Sequence, residues 1–265
     1  MNDIHLKSVL QAIEFMRKHL DEELTSEQLA AHVGYSPYHF IRIFKQVTGI
    51  SPRQYLSALR IETGKVNLLK ESSLLVKILH SIGFQSAGSF NTRFKQFVGV
   101  SPKQFHRTSK QLTSHMNEWE HKNLKLDTVE AKSGSLPRLT CRVTAPSSFR
   151  GIIFVGLFPR PIPDQRPIMG TAINQNARSC TFHQIPHGTY HLLAAGIAWS
   201  LNPKDYFLLD KSLRGNYESA IQVDAATDQD VSICLREPLP QDPPIVINLP
   251  LLLFEQSQKK RFDRL

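Results

Sequence analysis

The sequence predicts a multidomain protein: an all-α N-terminal domain with two helix-turn-helix units joined by a long helix, followed by a mostly-β C-terminal sandwich. Three observations predict it. A stretch of sixteen residues recurs without a gap fifty positions later, apolar residues keep helical spacing as far as Lys110, and 13 of the 16 prolines lie at or beyond Pro137. The expected domains are 1–110, a linker at 111–135, and 136–258.

The repeat aligns Phe40–Tyr55 (FIRIFKQVTGISPRQY) with Phe90–Phe105 (FNTRFKQFVGVSPKQF), with 8 of 16 positions identical. Ahead of the first copy, Leu6, Val9, Leu10, Ile13 and Leu20 outline an amphipathic helix. Thr25 and Gln28 then have the spacing of a capping box in front of Leu29, Ala30 and Val33, and Gly34 marks that helix's end. Ser36 is placed to cap the next helix, with Pro37 at its first position, where a missing N–H costs nothing. Phe40, Ile43, Phe44 and Val47 form its apolar stripe and Gly49 closes it. Leu56, Leu59, Val66 and Leu69 predict a long connecting helix. The second copy replays the plan: a helix starting at Ser72 or Ser73 and carrying Leu75, Ile78, Leu79 and Ile82 ends at Gly83. Ser86 caps the following helix, whose stripe is Phe90, Phe94 and Phe97 and whose end is Gly99.

The chain carries 32 Lys and Arg against 23 Asp and Glu, and +7 of its formal +9 falls within residues 1–110. An anionic partner for that part follows, and a helix-turn-helix would present its second helix to a major groove. Two units on one connecting helix would reach successive grooves about 34 Å apart, so that one chain reads two half-sites of double-stranded DNA. Three widely spaced cysteines (Cys141, Cys180, Cys234) make no disulfide framework and no CxxC pair, which favours a reducing, cytoplasmic compartment. The longest apolar runs, Ile152–Phe158 and Leu249–Phe254, fall short of the roughly 20 residues of a spanning helix, so no membrane role is expected.

The runs GYSPYHFIRIFKQVTGISPRQYLSALRI at 34–61 and IGFQSAGSFNTRFKQFVGVSPKQF at 82–105 resemble the DNA-binding region of the AraC/XylS transcription regulators. The resemblance rests on the paired FK-x3-G-x-SP-x-Q motifs and the Gly-Phe before the second reading helix, and covers about residues 5–108. It implies base-reading positions at Tyr38, Ile41 and Arg42 in the first copy and at Ala87, Gly88, Ser89, Asn91 and Thr92 in the second. Arg42 has the chemistry to pair bidentately with guanine and Asn91 with adenine, whereas Ile41, Ala87 and Gly88 offer at most a thymine-methyl contact or close approach. Phosphate contacts are expected from His39, Lys45, Arg93 and Lys95, with Ser36 and Ser86 at the helix N-termini. The chain departs from the family pattern at Leu79 and Gly64, where Ala is usual, and Gly within a helix costs about 1 kcal/mol.

Downstream, candidate strands are Leu139–Thr144, Gly151–Phe158, Ser179–Ile185, Thr189–Ala195, Ala220–Asp224, Val231–Arg236 and Ile245–Leu249. Turn signals separate them, among them Pro186-His187-Gly188, Asn202-Pro203 and Gly215-Asn216, and a short helix is expected near His115–Leu126. This spacing predicts an antiparallel sandwich. FHQIPHGTYHLLA at 182–194 and DVSICLREP at 230–238 resemble the transthyretin-like or carboxypeptidase-regulatory-like sandwich. The alternative is a GyrI-like α/β effector domain, for which only Asn202–Leu213 offers an amphipathic helix.

His183, His187 and His191 recur every four residues, but Pro186 and Gly188 break any helix that would bring them together, so they are read as turn and surface residues, not metal ligands. Tyr190, Trp199 and Tyr206 are candidates for an effector pocket. No nucleophile elbow, phosphate-binding glycine loop or HExxH motif points to an enzyme or to a cofactor. The expected protein is a one-component regulator with DNA, a small-molecule effector and RNA polymerase as partners. The alternative is an enzyme or protein-interaction module carrying a DNA-binding appendage.

Overall fold

The computed structural model describes residues 3–70, 79–109, 136–174, 177–252 and 254. By internal contacts the chain divides into two compact units, the first reaching to Arg107 and including Leu239–Ile247, the second made of Thr108–Pro238 and the residues from Asn248 onward.

The first unit is helical. Helix α1 spans Asp3–Lys18, α2 Ser26–His32, α3 Pro37–Thr48, α4 Pro52–Leu69 and α5 Ala87–Val98, with further helical backbone at 79–81 and 102–109. Local chemistry sets most of the ends. Thr25 Oγ1 accepts from the Gln28 N–H at 3.2 Å while Gln28 Oε1 accepts from the Thr25 N–H at 2.8 Å, a reciprocal box that satisfies two backbone donors. Ser51 and Gln54 form a second such box ahead of α4, which gives the SP-x-Q motif a structural role at that helix start. Ser86 Oγ caps α5, whereas Ser36 precedes α3 without a side-chain bond, leaving Pro37 to start that helix. Gly49 and Gly99 end their helices in the left-handed region, at φ 81° and 93°.

The repeat persists in the packing. In the first copy the Phe40, Phe44 and Tyr55 rings follow one another at 5.5 Å, and in the second Phe90, Phe94 and Phe105 follow at 5.3 and 5.6 Å. All six side chains are buried. Helix α1 differs from expectation: it buries Val9, Ala12, Ile13 and Met16, while Leu6 and Leu10 stay half-exposed and Leu20 lies beyond its end. Gly64 has a tertiary reason, since a Cβ there would stand 3.1 Å from Phe90 Cε2 and 3.3 Å from Ile82 Cδ1. The expected helix start at Ser72 or Ser73, with Leu75 and Ile78, lies outside the described residues, as does the expected helix near His115–Leu126. Leu239–Ile247 joins this unit, with Ile245, Val246 and Ile247 buried and Asp242 O accepting a 3.0 Å bond from Tyr55 Oη.

Gly83 follows the helical residues 79–81 at φ +68°, and a Cβ there would collide with Leu20 O and approach Arg60 Nη2 to 2.8 Å. Arg60 is itself fixed by donating from Nε to Leu20 O at 3.0 Å and from Nη2 to Glu22 O at 2.5 Å. Gly34 has a similar φ of +74° but open space around it. Gly34→Ala is therefore expected to cost only the left-handed strain, roughly 1–2 kcal/mol. Gly83→Ala should cost about 3 kcal/mol, because the strain is joined by displacement of a charged hydrogen bond. Urea unfolding of the two variants checks this, and equal losses would refute the crowding at Gly83.

The second unit is mostly β. Strands β1 Arg138–Thr144, β4 Ser179–His183 and β8 Asp228–Cys234 form one sheet in the order β4-β1-β8. Strands β2 Gly151–Phe158, β3 Met169–Asn174, β5 Gly188–Ala198 and β6 Leu213–Asn216 form the other in the order β3-β2-β5-β6, and β7 Ile221–Val223 also pairs with β5. Leu139, Cys141, Val143, Phe182, Val231 and Ile233 of the first sheet share one buried cluster with Ile153, Val155, Leu157, Leu192, Ile221 and Val223 of the second. All eight β2 residues are buried, as expected for a strand covered on both faces, which reads as a continuous apolar run without alternation.

Four expectations are corrected. Strand β1 pairs antiparallel with β4 but parallel with β8, so the region is not purely antiparallel. Ile245–Leu249 is not a strand: Ile245–Ile247 packs in the helical unit and residues 249–252 are helical. The helix that the α/β alternative offered at Asn202–Leu213 is not formed: the segment holds a short 3-10 turn, Pro203–Tyr206, and Leu213 opens β6. Gly215-Asn216, read as a turn, lies within β6, where a Cβ on Gly215 would come within 2.5 Å of Ile233 Cγ2 and 2.9 Å of Cys234 O, so the glycine serves the close approach of β6 to β8. Strands β3 and β6 were missed, the first because its MGTAIN run has no clean alternation and the second because it is four residues long with a central glycine.

Candidate nucleic-acid interface

The face of α3 opposite its buried Phe40, Ile43 and Phe44 carries Tyr38, Ile41, Arg42 and Lys45. Helical spacing alone puts positions 38, 41, 42 and 45 together. All four are exposed, and Tyr38 at 83% is far more open than a tyrosine ordinarily is. On α5, Phe90, Phe94, Phe97 and Val98 face inward, while Ala87, Gly88, Ser89, Asn91, Thr92 and Lys95 are exposed. Gly88 has open space around it, with Ser86 Oγ 4.0 Å from where a Cβ would stand. The buried aromatic rows thus hold two short helices with polar faces turned outward.

Several expected contact residues have bonds within the unit. Ser86 Oγ accepts from the Ser89 N–H at 3.2 Å and donates to Ser89 Oγ at 3.1 Å, while Ser89 Oγ donates to Ser86 O at 2.9 Å, so both hydroxyls serve the helix start. Arg93 is half-buried and donates from Nη1 to Gln96 Oε1 at 3.3 Å. His39 is half-buried, its ring 5.8 Å from that of His5 on α1 and 5.1 Å from that of Tyr35. Its Nδ1 lies 3.3 Å from Arg42 Nη2, in reach of accepting a bond that steadies the guanidinium. Tyr35 and His5 were not singled out from the sequence. Tyr35 stands in the quoted GYSP run, whereas nothing local to His5 marks it.

In the β unit the three pocket candidates have separate surroundings. Tyr190 is part of the core between the sheets. Tyr206 is fully buried, its hydroxyl donating to Ser200 O and accepting from the Ser200 N–H, both at 3.0 Å. Trp199 is half-buried. His183 lies on β4 and His191 on β5, in different sheets, with His187 exposed in the turn between them. Among the described residues the His, Cys, Asp and Glu side chains form no cluster that could hold a metal ion, and no helix is long and apolar enough to cross a membrane.

Helices α2 and α3 form a helix-turn-helix, and α5 repeats α3 with an outward polar face of its own, which defines the class of the N-terminal region. A family model described as a helix-turn-helix domain matches residues 29–108. The chain is similar to YobQ, an uncharacterized HTH-type transcriptional regulator of Bacillus subtilis (strain 168), with 32% identity over 109 residues, covering 39% of this chain and 45% of the relative. It is also similar to the HTH-type transcriptional regulator ArgR of Pseudomonas aeruginosa, with 34% identity over 94 residues, 36% of this chain and 29% of the relative. Among solved structures, a transcriptional regulator with an AraC-type DNA-binding domain from Chromobacterium violaceum aligns over 40% of this chain and 96% of its own at 25% identity and a TM-score of 0.38. The chain spans less than half the length of these two curated relatives. Residues 29–108 match a helix-turn-helix domain of the kind that these HTH-type transcriptional regulators carry.

Proposed function

We propose that the whole chain is a sequence-specific transcription regulator whose α3 and α5 read two adjacent major-groove sites of double-stranded DNA. The observation that carries this reading is the duplicated helix with an outward polar face, Tyr38, Ile41 and Arg42 in one copy and Ala87, Gly88, Ser89, Asn91 and Thr92 in the other, each backed by a buried aromatic row. Arg42 and Asn91 supply the base-pair hydrogen bonds and Ile41 a thymine-methyl contact. Lys45, Arg93 and Lys95 hold phosphates further along the helices, and the two helix N-termini at Ser36 and Ser86 hold others. His39 is assigned to the same phosphate-facing rim, with the further task of steadying Arg42.

Selection of bound duplexes from a random pool tests the reading. Two preferred blocks centred about 10 bp apart are expected, and a single block would confine reading to one helix. Arg42→Ala should lower affinity for the selected site by roughly 10- to 100-fold and blur one base position, the equivalent of about 1–3 kcal/mol. Lys95→Ala should weaken selected and random duplexes alike and flatten the salt dependence by about one counterion. Equal losses of specificity in both variants would contradict the assignment.

The two-sheet unit is proposed to be a transthyretin-like sandwich through which an effector or a protein partner such as RNA polymerase acts. Of the three aromatic candidates, Trp199 retains surface to offer a ligand, since Tyr190 and Tyr206 are packed away.

A further inference from the structure

Two thiols in the β unit take no part in the reading of DNA. Cys141 on β1 and Cys180 on β4 are register partners across the antiparallel ladder, 0% and 2% exposed, and neither is in a disulfide. Both point into the common core, on the face that also carries Leu139, Val143 and Phe182, whereas the alternate pair Thr140 and Thr181 meets on the opposite face with hydroxyl oxygens 3.2 Å apart.

The Val143 N–H donates to Arg178 O at 2.8 Å, which marks 143 and 178 as a hydrogen-bonded pair. Two residues along each strand the same pattern recurs, at 141 and 180, where α-carbons stand about 5.5 Å apart. Disulfides span Cα separations of roughly 4.4–6.8 Å, which this pair meets, but Cβ separations of about 3.5–4.5 Å, so closing the bridge draws the two strands together by about 1 Å at this position. The neighbouring Cys141 thiol and burial push the ionisation of Cys180 well above the ordinary thiol range. The Cys141 thiol lies 3.8 Å from Arg142 O, to which it donates. Strand β4 is five residues long and forms the edge of its sheet, pairing with β1 alone among the described strands, and Ser179 beside Cys180 is exposed.

We propose that Cys141 and Cys180 are a reversible oxidation site, closing a cross-strand disulfide that clasps the edge strand β4 to β1. The oxidant is a small disulfide of the oxidised-glutathione class. The Cys180 thiol gives up its proton, and the thiolate attacks one sulfur of the oxidant, breaking its S–S bond. The departing thiolate takes up a proton. Cys141 then loses its own proton and attacks the Cys180 sulfur of the mixed disulfide, releasing the second small thiol. Two protein thiols and one small disulfide become one protein disulfide and two small thiols, the electron pair having passed to the oxidant. Because both sulfurs are buried and burial disfavours ionisation of Cys180, the first attack waits on opening of β4, so the site responds to sustained oxidation and not to a brief pulse.

Full-length protein incubated with excess oxidised glutathione, sampled over time, quenched with N-ethylmaleimide under denaturing conditions and digested, reads this out by mass spectrometry. The exposed Cys234 is expected to acquire glutathione first. A linked Cys141–Cys180 peptide pair should follow and should disappear on treatment with dithiothreitol. In Cys234→Ser, which retains two of the three cysteines, free thiols should fall from two to none per chain with no disulfide-linked dimer on a non-reducing denaturing gel. Cys180→Ala should abolish the link and leave Cys141 reduced. Thiols at 141 and 180 that remain fully alkylatable long after Cys234 has been modified overturn the proposal, as does a link joining either of them to Cys234. Because the parent and Cys234→Ser proteins carry the measurement, a folding defect in Cys180→Ala leaves it decidable.

Discussion

Truncation of Phe90 to alanine is expected to lower the stability of the helical unit by about 3–5 kcal/mol, the range for emptying a fully buried aromatic site. Phe90 is 0% exposed, its ring 5.2 Å from Phe84 and 5.3 Å from Phe94, and its edge lies against the bare backbone of Gly64. A glycine cannot lean into the cavity, so the site collapses poorly and the cost belongs at the upper end. Phe40, its counterpart in the first copy, stacks the same way on Phe44, and Phe40→Ala serves as the comparison. Urea unfolding followed by circular dichroism measures both. A loss under 1 kcal/mol for Phe90→Ala would mean that α5 is not held by this row, and the outward face of α5 would lose its support.

Lys65 gives the second large effect, and it depends on pH. Its side chain is 2% exposed in α4, with Nζ 5.9 Å from the centre of the Phe105 ring. Burial lowers its pKa from 10.5 to about 8, opposed by the nearby Glu62 carboxylate. Between these values the folded lysine is neutral while the unfolded one remains protonated. The unfolded state therefore binds more protons, and stability rises with pH through the window. The difference between 10.5 and about 8 corresponds to about 3 kcal/mol of destabilisation. That cost is present in full below pH 8 and relieved by about pH 10.5. Lys65→Met, which keeps the aliphatic stem and drops the charge, should be more stable than the parent at pH 7 and should lose this part of the slope. Urea midpoints taken from pH 7 to 10.5 decide it. Parallel profiles for parent and variant would show that Lys65 does not titrate in a dry site.

The helical unit was legible because its determinants are local or repeated. Thr25 with Gln28, Ser86 with the Ser89 N–H, and Gly49 and Gly99 at positive φ each define a helix end within a few residues. The fifty-residue offset brings out the aromatic rows twice. The same locality made the candidate face legible, since a helix that buries positions 40, 43 and 44 must turn 38, 41 and 42 outward. What the sequence could not reveal there was company from elsewhere in the chain, such as His5 beside His39 or Leu20 O beneath Gly83.

In the β unit local patterns located most strands but not their partners. Gly151–Phe158 was recognised to the residue from its apolar run, and β1 to within one. Three features had no local signature: the parallel pairing of β1 with β8, the recruitment of Gly215-Asn216 into β6, and the packing of Leu239–Ile247 with the helices. Each is settled by contacts between residues far apart in the chain, where burial and ladder hydrogen bonds outweigh weak turn and strand preferences. The sequence by itself therefore determined the duplicated helices and their outward polar faces, because helix caps and periodicity act over a few residues. The tertiary structure alone decided which strands pair, which lysine is dry and which two thiols face each other, because those depend on long-range burial.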